Sequence, residues 1–211
     1  MYSIKEIYKT IQGEGAFAGR PAVFCRFTGC NLWTGREEDR ANAICQFCDT
    51  DFIGTNGQNG GKYKAVELAD HLDQVWRQSC TDTENKFVVF TGGEPLLQLD
   101  EGLIKAVKEI GFYIAVETNG TCEAPDGIDW ICMSPKAGAE LKLKTGNELK
   151  LVYPQPTLLP NDIVGLEFDR YFLQPMDGPE AEENTKLATQ YCLNNPRWEL
   201  SLQMHKLLGI P

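Results

Sequence analysis

Three cysteines, Cys30, Cys45 and Cys48, are spaced Cys-x14-Cys-x2-Cys. Two thiolates with two residues between them can bend around one metal centre, and a third can reach it from a loop. Soft sulfur donors suit zinc or an iron–sulfur cluster. A structural zinc takes four ligands, and Cys25 would be the fourth, giving a Cys-x4-Cys pair and a Cys-x2-Cys pair. Yet Cys25 alternates with Phe24 and Arg26 and shares a face with Val23 and Phe27, which points it toward a core. With Cys25 removed, three thiolates remain, and three on a four-iron cluster leave one iron open to a small molecule. The spacing by itself leaves both metals open.

The elements that must carry these residues are legible from periodicity. Ala65, Leu68, Ala69, Leu72, Val75 and Trp76 fall on one helical face. Leu96, Leu99, Leu103, Val107 and Ile110 predict a second helix. Leu187, Ala188, Tyr191 and Cys192 predict a third, stopped by Asn195-Pro196. Strand-like runs lie at 22–27, 87–90, 113–116, 130–133, 149–153, 171–173 and 198–202, several of them apolar throughout, as strands covered on both faces are. Helices fill only the gaps before Phe87, Tyr113 and Trp198. The expected fold is therefore α/β: a partial parallel βα barrel of about six strands with about three crossover helices. A full eightfold barrel typically needs about 250 residues, more than the 211 present.

In such architectures the site lies at the C-terminal ends of the strands. Those ends here read Thr91-Gly92-Gly93-Glu94-Pro95, Glu117-Thr118-Asn119-Gly120, Ser134-Pro135-Lys136 and Gln174-Pro175-Met176-Asp177. As isolated stretches, each is an ordinary turn. Gly54 to Gly61 reads as a turn-rich surface loop within one domain spanning 1–211.

Composition narrows the function classes. With 42% hydrophobic residues the chain can build a core. A formal charge of −10 disfavours a grip on nucleic acid. No apolar run approaches bilayer length, and Met1-Tyr2-Ser3-Ile4-Lys5-Glu6 is unlike a secretion signal, so the chain reads as cytoplasmic with no membrane partner. Eight cysteines in such a protein are not a disulfide framework. Cys80, Cys122, Cys132 and Cys192 read as structural. His71 falls off the apolar helix face and is expected in solvent. His205 is given no catalytic role.

Taken with Gln12-Gly13-Glu14-Gly15, the 20–27 strand, Cys45-Gln46-Phe47-Cys48-Asp49-Thr50 and His205-Lys206, these motifs resemble the radical S-adenosylmethionine enzymes over nearly the whole chain. Phe47 before the last cysteine matches that family, whereas the 14-residue first gap departs from its usual three. The longer gap resembles the 7-carboxy-7-deazaguanine synthase branch, with the cluster loop inserted at about 29–62. The resemblance implies a 4Fe-4S cluster on Cys30, Cys45 and Cys48, S-adenosylmethionine on its open iron, and Mg2+ on Thr50. It places Phe47, Gly93, Glu94, Glu117, Ser134, Pro135, Lys136, Gln174, Pro175, Met176 and Asp177 around S-adenosylmethionine. It gives Ile11, Gln12, Gly13, Glu14, Arg26, Thr91 and the Pro211 terminus to a carboxytetrahydropterin substrate. The chemistry implied is a radical ring contraction with loss of ammonia, on the route to queuosine. A flavodoxin or ferredoxin donor and a homodimer are implied as well. The rival readings are a glycyl-radical activase, which usually keeps the three-residue gap, and a zinc-stabilised binding module using Cys25.

Overall fold

A computed structural model of the chain describes residues 1–78 and 82–211. Cys80 lies outside the described residues. Among the described residues nine strands form one sheet: β1 (Tyr2–Ile11), β2 (Pro21–Phe27), β3 (Gly61–Tyr63), β4 (Phe87–Gly92), β5 (Tyr113–Thr118), β6 (Trp130–Met133), β7 (Thr145–Tyr153), β8 (Glu167–Pro175) and β9 (Trp198–Leu200). Their order is β3-β1-β2-β4-β5-β6-β7-β8-β9. From β2 to β9 every pairing is parallel, while β1 runs antiparallel to both β2 and β3. The seven parallel strands are the seven apolar runs of the sequence. Against about six expected strands, the described residues hold seven parallel ones and two antiparallel additions.

Alternation along each strand sorts the side chains into two environments. Val23, Cys25 and Phe27 of β2, Val88 and Phe90 of β4, and Ile114 and Val116 of β5 belong to one core. Two helices cover it: α1 (Ala65–Arg77), through Leu68, Leu72 and Trp76, and α2 (Glu101–Glu109), through Leu103 and Val107. Leu149, Leu151 and Leu173 pack with Ala188 of the third helix, α3 (Ala181–Asn194). The long helix expected over Leu96–Ile110 is broken in two. Pro95–Leu97 forms a 3-10 turn, and α2 starts afresh because the Asp100 side chain accepts the Leu103 N–H at 3.0 Å.

The opposite, concave face changes character along its length. At the N-terminal ends of the strands it is aromatic. Phe17, on the 3-10 turn Gly15–Phe17, lies edge-on to Phe87 and Trp130, with ring centroids 5.1 and 4.7 Å away. At the C-terminal ends the same face carries charged and polar groups.

The C-terminal segment packs on the end of β1 and the residues that follow it. Ser201 Oγ accepts the Gly15 N–H at 2.9 Å, Met204 N donates to the Gly13 carbonyl at 3.0 Å, and Thr10 Oγ1 donates to the Pro211 carbonyl at 2.9 Å. A short helix, α4 (Met204–Leu208), ends at Gly209 with φ +65°, a left-handed geometry suited to glycine. His71 is not in solvent as its position predicts. It is half-buried against the Tyr63 ring, 5.5 Å between centroids, and its Nε2 has no hydrogen-bond partner among the described residues.

Candidate active site

A cavity of about 530 Å³ opens at the C-terminal ends of the strands, a size that suits a cofactor or small substrate. Its wall takes in all three spaced cysteines, whereas Cys25 sits fully buried in the core on the other face of β2. The zinc reading that needs Cys25 as fourth ligand is thereby corrected, since one side chain cannot face both sides of a strand. Among the described residues no trio of His, Cys, Asp or Glu side chains is gathered tightly enough for a single ion. The donor set that remains is three thiols on one cavity wall, which fits a multi-iron cluster with one iron unclaimed by the protein.

The loop between β2 and β3 is shaped by its own contacts. The Trp33 and Phe52 rings meet edge to face at 5.6 Å. Arg40 lies 4.0 Å over Trp33 and donates from Nη1 to the carbonyls of Gln46 and Cys48, both at 3.0 Å. One guanidinium thus staples the stretch that carries two of the cysteines. Lys5, buried in β1, ties the far end down through Asp51 at 2.7 Å and Asn56 at 3.1 Å. The Cys45 thiol donates to Cys48 and holds that thiol down to about 6, with help from the Thr50 backbone and against its own burial. Thiolate is the form that binds metal.

The Thr91–Pro95 turn packs directly on the start of this loop. Gly92 has φ +140°, and a Cβ there would stand 2.3 Å from the Phe27 carbonyl. A Cβ on Gly93 would stand 2.0 Å from the Gly29 carbonyl and 3.0 Å from Cys30 Cβ. Both glycines are needed to let two backbones touch. Thr91, Gly92 and Gly93 line the cavity, but Glu94 does not. Its carboxylate is 0% exposed and accepts from Leu96 N at 3.0 Å, Thr118 Oγ1 at 2.7 Å and Asn119 N at 2.7 Å. A cofactor contact for the Glu94 side chain is therefore corrected to a brace between the ends of β4 and β5. Gly93→Ala should cost about 1–3 kcal/mol through overpacking. A lowered melting temperature together with reduced iron uptake would show that the turn and the cysteine loop move as one.

Around the remaining rim, Phe47, Ser134, Lys136, Gln174, Pro175, Met176 and Asp177 line the cavity, while Pro135 is buried behind it with its carbonyl taken by Gln155. Lys136 donates to the Ser134 carbonyl at 2.8 Å and to Ser134 Oγ at 2.7 Å and lies 5.8 Å from the Phe47 ring centre. Burial lowers its ammonium pKa. Asp177 is held by Lys206 at 2.6 Å, and Gln174 Oε1 accepts from Ser201 at 3.0 Å. Thr50 lines the cavity between Asp49 and Asp51.

The other half of the cavity is formed by β1, β2 and the residues that follow β1. Ile11, Gln12, Gly13, Glu14, Arg26 and Pro211 meet there, and Glu117, expected beside S-adenosylmethionine, is instead hydrogen-bonded among them through Gln12. Arg26 faces the cavity, with its plane fixed by Glu6 at 2.8 Å and Tyr8 at 3.0 Å. The Tyr8 ring stacks on Phe24 at 5.7 Å, giving a flat aromatic wall. Sequence reasoning passed over Lys150. It is buried in β7, with Nζ 2.5 Å from Glu14 Oε2 and 3.2 Å from Glu117 Oε2. The signal was there: a lysine between Leu149 and Leu151 in the otherwise apolar run 149–153.

Residues 39–158 match the model of the Radical SAM superfamily. The match holds Cys45 and Cys48 but begins after Cys30, as the long first gap would cause. Over 99% of both chains the sequence is 61% identical to a 7-carboxy-7-deazaguanine synthase of Bradyrhizobium diazoefficiens. It is 59% identical to one from Bordetella pertussis over 100% of this chain and 99% of that one. The chain belongs to the 7-carboxy-7-deazaguanine synthase family of radical SAM proteins. The crystal structure of QueE from Escherichia coli is similar at a TM-score of 0.69 and 28% identity, over 97% of this chain and 94% of that one. Radical SAM membership implies a 4Fe-4S cluster and S-adenosylmethionine, and the cavity wall provides three cysteines for the first. A small-molecule substrate and a reductant are the partners this chemistry requires. No helix among the described residues is long and apolar enough to cross a membrane.

Proposed function

We propose that the protein converts 6-carboxy-5,6,7,8-tetrahydropterin to 7-carboxy-7-deazaguanine and ammonia. The observation that carries this reading is a single cavity with three cysteines on one wall and a hydrogen-bonded Gln12–Glu14–Glu117 array on the other. The cluster and S-adenosylmethionine, when bound, supply a carbon radical able to take hydrogen from C6 of the pterin. The protein's own residues do the rest. Glu14 can accept from the amine and ring N–H of the aminopyrimidinone edge, and Gln12 offers both a donor and an acceptor. Arg26 can pair with the pterin carboxylate, with the Tyr8–Phe24 wall alongside.

Ser134, Lys136 and the Gln174–Asp177 stretch border the half of the cavity next to the cysteines, where S-adenosylmethionine would lie. Thr50 offers a hard oxygen to Mg2+, a metal that keeps few protein ligands. The loop between β2 and β3 is read as the cluster-binding insertion of a single domain. A flavodoxin or ferredoxin as donor, a homodimer and a cytoplasmic location complete the proposal.

An anaerobic assay with dithionite, S-adenosylmethionine, Mg2+ and the carboxytetrahydropterin tests it by mass spectrometry. A product lighter than the substrate by one ammonia supports the reading. Reductive cleavage of S-adenosylmethionine with the pterin left intact would overturn it.

A further inference from the structure

Lys150 is the one fully enclosed cation among the described residues that touches the proposed pterin readers, and nothing above gives it a task. It is 3% exposed. Its Nζ bonds one oxygen of Glu14 and one of Glu117. The ring closes through Gln12, whose Nε2 donates to the other Glu117 oxygen at 2.9 Å and whose Oε1 accepts the Glu14 N–H at 3.1 Å. The second Glu14 oxygen accepts from Gln203 at 3.0 Å. Every member of this ring lines the cavity. We infer that Lys150 is the positioning residue of the substrate site, holding Glu14 ionised and aimed so that it can accept the two donors of the aminopyrimidinone edge.

The inference rests on the proposed function and deepens it. Its physical ground is charge crowding in a dry place. Glu14 and Glu117 share one ammonium, and a third carboxylate, Glu148, lies on the same face of β7 two residues away, bonded by Trp130 and the Ala16 N–H. The other titratable groups facing this ring are Tyr8 from β1, Cys132 from β6, Lys136 beyond the end of β6, and His205 from α4. Cys132 is a buried thiol whose ionisation burial suppresses, so it adds no charge at neutral pH. Burial by itself would raise the Glu14 carboxyl, but Lys150, with Gln203 and His205 assisting, brings it down to about 2. Without the lysine, burial and two neighbouring carboxylates are opposed only by Gln203 and His205, and Glu14 takes up a proton at a higher pH. A protonated carboxyl offers one acceptor oxygen fewer and presents a donor to another donor.

The test is Lys150→Met, an apolar replacement of similar length, beside Lys150→Arg, which keeps the charge. Pterin affinity of the S-adenosylmethionine-loaded holoenzyme is measured by anaerobic equilibrium titration, with KM and kcat taken in parallel, from about pH 6 to about pH 9. The wild type should bind the pterin with little pH dependence on account of Glu14. Lys150→Met should bind at least about tenfold more weakly near pH 6, with affinity climbing toward that of the wild type as the pH rises. Lys150→Arg should stay flat with pH. The KM for S-adenosylmethionine should not change in either variant. A uniform loss at every pH in Lys150→Met, undiminished affinity in it, or a pH slope in Lys150→Arg would each overturn the inference. If the wild type itself does not bind the pterin, the proposed function fails instead, and the two failures are told apart by that control.

Discussion

Cys45→Ala should yield a colourless protein that holds no four-iron cluster and cleaves S-adenosylmethionine at least about a thousandfold more slowly, because a cube left with two anchors is not retained. Cys30→Ala and Cys48→Ala should behave alike, since all three thiols share one cavity wall. Cys25→Ala separates metal binding from packing. Its side chain is fully buried in the core beside α1 and α2, so the variant should keep its iron and lose about 1–2 kcal/mol of stability to the cavity it leaves. Anaerobic reconstitution, iron and sulfide counts, and the electron paramagnetic resonance spectrum of the reduced protein with and without S-adenosylmethionine read the outcome. A Cys45→Ala protein that stays brown with four irons would sink the assignment. So would a Cys25→Ala protein that folds but loses its metal.

How far the sequence reaches is shown by where each element draws its cues. The seven parallel strands and α1 announce themselves through local pattern, because each buries one face against a neighbour that any apolar run would find. β1 did not, and its register explains why. A bulge between Ile4 and Glu6 breaks the two-residue alternation, so the buried Ile4 and Ile7 stand three apart, a spacing foreign to a flat strand. The bulge has a use: it turns Lys5 onto Asp51 and Asn56, which anchors the cysteine loop.

Placement around one cavity was equally legible. Twenty of the twenty-two residues assigned to cofactor or substrate line one cavity; Glu94 and Pro135 are the exceptions. Glu94 escaped because its demand comes from Thr118 and Asn119, some two dozen residues away, which nothing near the motif reveals. Lys150 escaped for the same reason. A lone lysine in a strand acquires meaning only when Glu14 and Glu117 arrive from two other elements.

A hexahistidine tag placed after Pro211 should raise the KM for the pterin by about tenfold or more, while iron content and S-adenosylmethionine affinity hold steady. The reason is how the last residues are fastened. Lys206 donates to Asp49, the neighbour of Cys48, at 2.7 Å and to Asp177 at 2.6 Å. Pro211 then reaches Thr10 across the cavity mouth. The two Lys206 contacts are partly exposed ion pairs, each worth roughly 0.2–1 kcal/mol, so the strap is held by little and an appended chain that must leave through the same mouth can displace it.

Lys206→Ala should reproduce part of the effect without any added bulk, and added salt should weaken the wild-type strap by screening. The pH dependence has a definite sign. The Lys206 hydrogen bond lowers the Asp177 carboxyl pKa, so the Asp177 share of the strap is present above the ordinary aspartate range and is lost as the pH falls through the lowered value. The protection of the amides of residues 203–211, taken relative to their intrinsic exchange rates, should therefore fall at low pH in the wild type and be lower at every pH in Lys206→Ala. A tagged protein with an unchanged pterin KM would mean that the terminus lies over the mouth without contributing to binding. Glu14, held by Lys150 as well as by Gln203, would then be a sufficient reader without the strap.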